Sequence, residues 1–211
     1  YVTKEVLVTP FGVDTDVFMP QQKERASDKI TIGCVKWLDE KYGITDILKA
    51  FRILVVEKKI ANIRLILTGG GERAEYYKGV AEGLGISDFV EFMGHVPFKQ
   101  IDKVHKQLDI AVYPSVEDSF GVSVLESSAC GVPVVVSNVG GLPEVVVQNE
   151  TGIIINPRDP EAIAQTLSTL IHDSALRARL GKNGRRFVEE KYSWDKCVDL
   201  METIYFKHAF E

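Results

Sequence analysis

Asp109 to Val147 reads DIAVYPSVEDSFGVSVLESSACGVPVVVSNVGGLPEVVV. The apolar run Ile110 to Tyr113 stops at Pro114-Ser115. The acidic pair Glu117-Asp118 then leads through Phe120-Gly121 into a helix-like run ending at Gly131. The pattern is strand, loop, helix. In open α/β sheets, ligands bind at the carboxyl ends of strands, so Asp118 and the amides of Ser119, Phe120, Gly121, Val122 and Ser123 fall where a ligand sits. Asp118 and Glu126 are eight positions apart, one at the helix start and the other about two turns further on, so one ligand can touch both. An acid at a helix start also serves as a dipole partner or cap, and Asp118 taken alone fits either role.

The pattern repeats on both sides of this stretch. Ile30 to Val35 alternates too little for a half-exposed strand and suits a buried parallel one. No G-x-G-x-x-G follows it, which disfavours a redox dinucleotide-binding protein. Instead, Lys36 and Lys41 lie on a loop before an amphipathic helix that begins near Gly43 and carries Ile44, Ile47, Leu48, Phe51, Leu54 and Val55 at helical spacing. Ile63 to Thr68 is a second strand. Gly69-Gly70-Gly71 turns it into a helix over Glu72 to Leu84; such a run is first of all a tight turn, and it also has the shape of a phosphate cradle. Phe89 to Met93 is the third strand, Ile101 to Gln107 the helix before the fourth, and Pro133 to Val136 the fifth strand. Asn138 to Glu144 forms a tight turn and short helix, in which Gly140 and Gly141 let backbone approach a ligand. Thr151 to Ile155 is the sixth strand. Helices follow over Asp159 to Asp173, Ser174 to Lys191, and Ser193 to about Ala209, the last with an apolar stripe of Trp194, Cys197, Val198, Met201, Ile204 and Tyr205. Ahead of the first strand, Val6 to Val8 reads as a short extended entrance and Gln21 to Asp28 as a polar loop. His105, His172 and His208 fall on helical segments and are expected at the surface.

With 211 residues the chain can bury a full core. Its 25 basic and 30 acidic residues give a net charge of −5, and the absence of a long basic run argues against nucleic acid as the main partner. Cys34, Cys130 and Cys197 show neither close pairing nor metal-like spacing, which suits a reducing compartment and gives cytoplasm as the expected location. No apolar run approaches the ~20 residues needed to span a bilayer.

PSVEDSFGVSVLE, GVPVVVSNVGGLPEVV and TGIIINPRDPEAIA, in that order and spacing, resemble the nucleotide-sugar-binding half of GT-B glycosyltransferases, specifically the large family-four group of retaining enzymes. The resemblance runs from Thr9 to Trp194. It implies a Rossmann-like three-layer α/β domain with a six-stranded, mostly parallel sheet and C-terminal helices. Residues 1–28 would be interdomain linker, residues 29–192 the nucleotide-sugar-binding domain, and residues 193–211 a helix returning towards an N-terminal acceptor domain that this chain lacks.

What the resemblance implies for chemistry is transfer of a hexosyl group, with retention, from a UDP-, GDP- or ADP-sugar to an acceptor in glycan, polysaccharide or glycolipid synthesis. No cofactor and no metal are expected. Lys36 and Lys41 match the basic pair that holds the donor diphosphate, with Lys36 standing where arginine is commoner, so the fork geometry is lost. Lys36, Lys41 and Asp118 are the candidate catalytic residues. His95 and Val96 are expected to meet the nucleobase through main-chain atoms, Glu126 the ribose hydroxyls, and Asp118 the donor sugar, in a place more often held by glutamate. The rival readings are an inactive nucleotide-sugar-binding module and another GT-B enzyme, such as a glycogen-type synthase or a sugar epimerase. Any membrane-surface association would come through the missing half.

Overall fold

Six runs of aliphatic and β-branched residues become strands: β1 (Ile30–Val35), β2 (Ile63–Thr68), β3 (Val90–Gly94), β4 (Ile110–Tyr113), β5 (Val134–Ser137) and β6 (Gly152–Ile155). These come from a computed structural model that describes residues 7–21 and 29–208. Every pairing is parallel and the spatial order is β3-β2-β1-β4-β5-β6. That order is the doubly wound Rossmann arrangement. β1 and β4 are side by side, in register at Ile32 with Ile110 and Gly33 with Ala111. Both are buried along their whole length, which is why each reads as an unbroken apolar run.

The α-helices among the described residues are α1 (Ile44–Arg52), α2 (Ala74–Gly83), α3 (Phe98–Gln107), α4 (Val122–Ala129), α5 (Pro160–His172), α6 (Ser174–Lys191) and α7 (Trp194–His208), the last packed on α6. α1 packs with α2 and α5, whereas α4 packs with α3 and α6, so the chain leaves β1 and β4 into different helix layers. Their divergence opens a crevice at the carboxyl ends of the two strands. α1 runs on through a wider π-type turn, Ile53–Glu57, which keeps Leu54 buried. Asp159 and Asp173 cap α5 and α6, accepting from Ala162 N at 2.9 Å and Leu176 N at 2.8 Å.

The segment ahead of β1 is tied to the end of the chain. Val13 bridges to Ser193, its N–H donates to Tyr192 O at 2.8 Å and its carbonyl accepts from Trp194 N at 2.9 Å. Arg185 Nη1 donates to the carbonyls of Thr15, Phe18 and Ala129 and so clamps that segment against α4. Of the expected stripe on α7 only Cys197 is buried, while Trp194 and Tyr205 are 60 % and 67 % exposed. No helix among the described residues is long and apolar enough to cross a membrane. The readings placed on Val6, on residues 22–28 and on Ala209 lie outside the described residues.

One expectation fails. His105, placed at the surface from its polar character, is fully buried between α3 and α4, where Ser127 and Glu126 supply partners for both ring nitrogens. A buried polar ring is stable only with such partners. His172 is exposed as expected, with Nδ1 at 2.7 Å from Ser168 O.

Candidate functional site

Three loops meet at the carboxyl ends of β1, β4 and β5, and backbone bonds join them. Val116 N and Glu117 N donate to Lys41 O at 2.7 and 3.2 Å, Gly141 N donates to Asp118 O at 3.2 Å, and Ser137 Oγ donates to Ser115 O. Two glycines make this closeness possible. Gly43 has φ +68°, and a Cβ there would lie 2.2 Å from Pro114 O; Gly140 has φ +49°, and a Cβ would lie 1.8 Å from Asp118 O. Gly140 and its neighbour Gly141 therefore admit the adjacent loop closely, and Gly140 also lines the cleft. Gly69 likewise packs on Lys36 O, so the glycine run after β2 acts as a packed turn.

Charge gathers on this frame. Lys36 Nζ lies 2.6 Å from Asp118 Oδ2, with the two side chains only 12 % and 7 % exposed, and Ser115 Oγ adds a donor to the same oxygen at 3.3 Å. Lys36 and Lys41 both face the Tyr42 ring, at 4.9 and 5.1 Å from its centroid. An open cleft of about 370 Å³ is lined by Lys41, Tyr42, Val116, Glu117, Asp118, Ser119 and Gly140. Asp118 pairs with Lys36, so Lys41 is the cation of the cleft lining that no ion pair engages among the described residues, with Glu117 on the same lining. Beneath the pair, burial pushes the Cys34 thiol up to about 12 against the opposing pull of Lys36, so it is a core group and not a nucleophile.

α4 contributes its N-terminus. Gly121, at φ +98°, precedes the first turn and no side chain caps it. Val124 N and Leu125 N donate to Gly121 O, while the N–H groups of Val122 and Ser123 have no acceptor among the described residues. Asp118 thus pairs with Lys36 and Ser115 and does not cap the helix. Uncapped N–H groups and the helix dipole together favour an anion. The Phe120 ring turns away onto Phe11 and Tyr192, at 5.7 and 5.9 Å, so Phe120 offers the cleft only its main chain.

Glu126 stands further down α4 and is 7 % exposed. One carboxylate oxygen, Oε2, lies 3.2 Å from His105 Nε2; the other has no partner among the described residues. The loop after β3 carries an exposed His95 and a half-buried Val96. It is joined to the β1 loop through Gly69, whose N–H donates to Gly94 O at 2.9 Å. Sequence reasoning missed Tyr42 and His105. The signal for His105 was present: Ile101, Val104, His105 and Leu108 follow the i, i+3, i+4, i+7 pattern of an inward helix face. Among the described residues no group of three or more His, Cys, Asp or Glu is placed to hold a metal ion.

The sequence and the fold of this chain match known proteins. The family described as Glycosyl transferases group 1 matches residues 17–187. A GDP-mannose-dependent alpha-(1-6)-phosphatidylinositol monomannoside mannosyltransferase of Mycobacterium tuberculosis is 29 % identical over 201 residues, which is 88 % of this chain and 52 % of that protein. A sucrose-phosphate synthase from Thermosynechococcus elongatus superposes with TM-score 0.86 at 28 % identity, over 94 % of this chain and 51 % of that one. The C-terminal domain of a glycosyl transferase group 1 family protein from Francisella tularensis superposes with TM-score 0.78 at 26 % identity, over 87 % of this chain and 100 % of that domain. The chain spans about half the length of the curated relatives it matches. With a matched region covering most of its length and a fold that aligns along a whole C-terminal domain, the chain belongs to the group 1 glycosyltransferases, of GT-B fold, and corresponds to their C-terminal domain.

Proposed function

We propose that these residues bind the donor of a retaining hexosyl transfer, a nucleoside diphosphate sugar, in the crevice between β1 and β4. The observation that carries this reading is the joint placement of Lys41 and the Lys36–Asp118 pair beside the uncapped start of α4. In such a transfer the bond from the anomeric carbon to the diphosphate breaks, and negative charge grows on the departing phosphate oxygen. Lys41 and the amides of Val122 and Ser123 stabilise it without a metal. Each lysine at 4 Å contributes roughly 1 kcal/mol in water and about 4 kcal/mol at an effective dielectric of 20. The free oxygen of Glu126 accepts from the ribose hydroxyls, the main chain at His95 and Val96 meets the base, and Asp118 meets the sugar while restraining Lys36.

The relative named for GDP-mannose supports a nucleotide sugar as ligand, and the half-length match supports a second, acceptor-holding domain as the other wall of the cleft. Proximity and orientation supply roughly 7–11 kcal/mol of such a barrier, so these 211 residues alone hold the donor and transfer nothing. The test is incubation with a panel of UDP-, GDP- and ADP-sugars, followed by mass spectrometry. One donor is expected to form a complex without sugar transfer to an added acceptor; transfer at an appreciable rate, or no complex with any donor, contradicts the reading.

A further inference from the structure

Behind Glu126 runs a chain of buried polar groups. His105 is fully buried, its ring edge-on to Phe18 at 5.7 Å. Its Nε2 lies 3.2 Å from Glu126 Oε2 and its Nδ1 2.8 Å from Ser127 Oγ, which in turn lies 2.7 Å from Tyr113 Oη. One assignment of the protons uses every donor along the chain. Burial holds the Tyr113 phenol well above its usual range, so it keeps its proton, which in this assignment it donates to Ser127 Oγ. The Ser127 O–H then donates to His105 Nδ1, leaving the ring proton on Nε2, where it donates to the carboxylate. The second Glu126 oxygen has no partner among the described residues.

A glutamate has three rotatable bonds, and holding it in one rotamer costs side-chain entropy that a fixed partner offsets. We propose that His105 is a positioning residue for nucleotide recognition: through Nε2 it holds the Glu126 carboxylate so that Oε1 accepts from the ribose hydroxyls, with Ser127 and Tyr113 fixing its tautomer. The inference rests on the reading of Glu126 as the ribose acceptor. Phe18, held through its carbonyl by Arg185, packs edge-on against the ring, and both are buried.

The test is calorimetric titration of the protein with UDP, GDP and ADP, each beside its 2′,3′-dideoxy form. The unaltered protein is expected to prefer the ribose form of its best ligand by about tenfold or more. Absence of that preference overturns the ribose reading and the positioning role together. His105→Leu is expected to lose most of the preference, leaving affinity for the dideoxy form within about twofold, because the interaction it weakens is made through the hydroxyls alone. Equal weakening of both forms, or an intact preference, overturns the positioning role while leaving the ribose reading in place. His105→Gln can still donate towards Glu126 and should restore part of the preference, whereas His105→Asn, which keeps only the Ser127 side, should not. The reverse order contradicts the proposal, and this pair decides the matter if His105→Leu does not fold by circular dichroism.

Discussion

The two walls of the crevice are built on opposite principles. On the β1 side, Lys41 is exposed and its loop is held by main-chain bonds across glycines, so charge is displayed on a rigid frame with little around it. On the α4 side, Glu126 is nearly enclosed and its orientation is held by buried side chains from β4, α3 and α4. The first wall fits attraction of a diphosphate, which needs charge more than direction. The second fits selection of a ribose, which needs direction more than charge. One wall should therefore fail with salt and the other with shape.

The largest effects should come from breaking the frame itself. Gly43→Val and Gly140→Val force a β-branched residue to positive φ and drive its side chain into a carbonyl on the neighbouring loop. The backbone contribution alone is about 1–2 kcal/mol. With the clash added, a loss of roughly 3 kcal/mol or more in urea unfolding is expected, together with loss of nucleotide binding. Unchanged stability would show that the loops are not joined as described.

Next come the two walls taken separately. Lys41→Ala and Glu126→Gln each remove an interaction with a charged group, worth roughly 1.5–3 kcal/mol, so the dissociation constant for the bound nucleoside diphosphate should rise about tenfold or more in both. They should part company with ionic strength. Lys41→Ala flattens the salt dependence of binding, since an exposed cation is screened beyond about 10 Å at 0.1 M, while Glu126→Gln leaves the slope as it was. Equal slopes in the two variants would erase the distinction drawn between the walls.

Asp118→Asn should act in the opposite sense on the bare diphosphate. It removes a like charge from the cleft and frees Lys36, so UDP, GDP or ADP should bind severalfold more tightly, on the order of 1 kcal/mol, the value for a unit charge at about 4 Å screened by water. The free protein should lose stability, because Lys36 stays mostly buried without its partner. Weaker binding of the bare diphosphate in this variant would mean that the Lys36–Asp118 pair opens on ligand entry.

The smallest effect is a control on α3. Lys106 Nζ lies 2.7 Å from Asp102 Oδ2 one turn away, and the hydrogen bond from Lys106 holds the Asp102 carboxyl below its usual range. A depressed carboxylate contributes stability that is present above its unfolded value of about 3.9 and lost as pH falls through the folded one. Lys106→Met should cost no more than about 0.5 kcal/mol at pH 7, and less still at pH 3. A larger loss would show that α3 is marginally held and would weaken any assignment resting on His105.

Much of this was legible in the sequence because strands of a parallel sheet are continuous apolar runs with sharp ends. β1, β2 and β4 begin and end where the residue pattern does, and α6 likewise, whereas β3 is displaced by one residue because Phe89 still belongs to the turn before it. Lys36 and Lys41 were singled out by the resemblance and Asp118 by its place at a strand end, where loops of an open α/β sheet converge. Their mutual pairing was not legible, since sequence spacing says nothing about which charge faces which. His105 was misplaced for a related reason. A histidine on a largely polar helix reads as solvated unless its partners are known, and those partners, on α4, are more than 20 positions away.

Calorimetric titration of this chain with UDP, GDP and ADP at low ionic strength tests the central claim most directly. One of the three should bind with one-to-one stoichiometry and an affinity that falls as salt is added. Failure of all three to bind even at millimolar concentration would contradict the account of the crevice as a nucleoside diphosphate site.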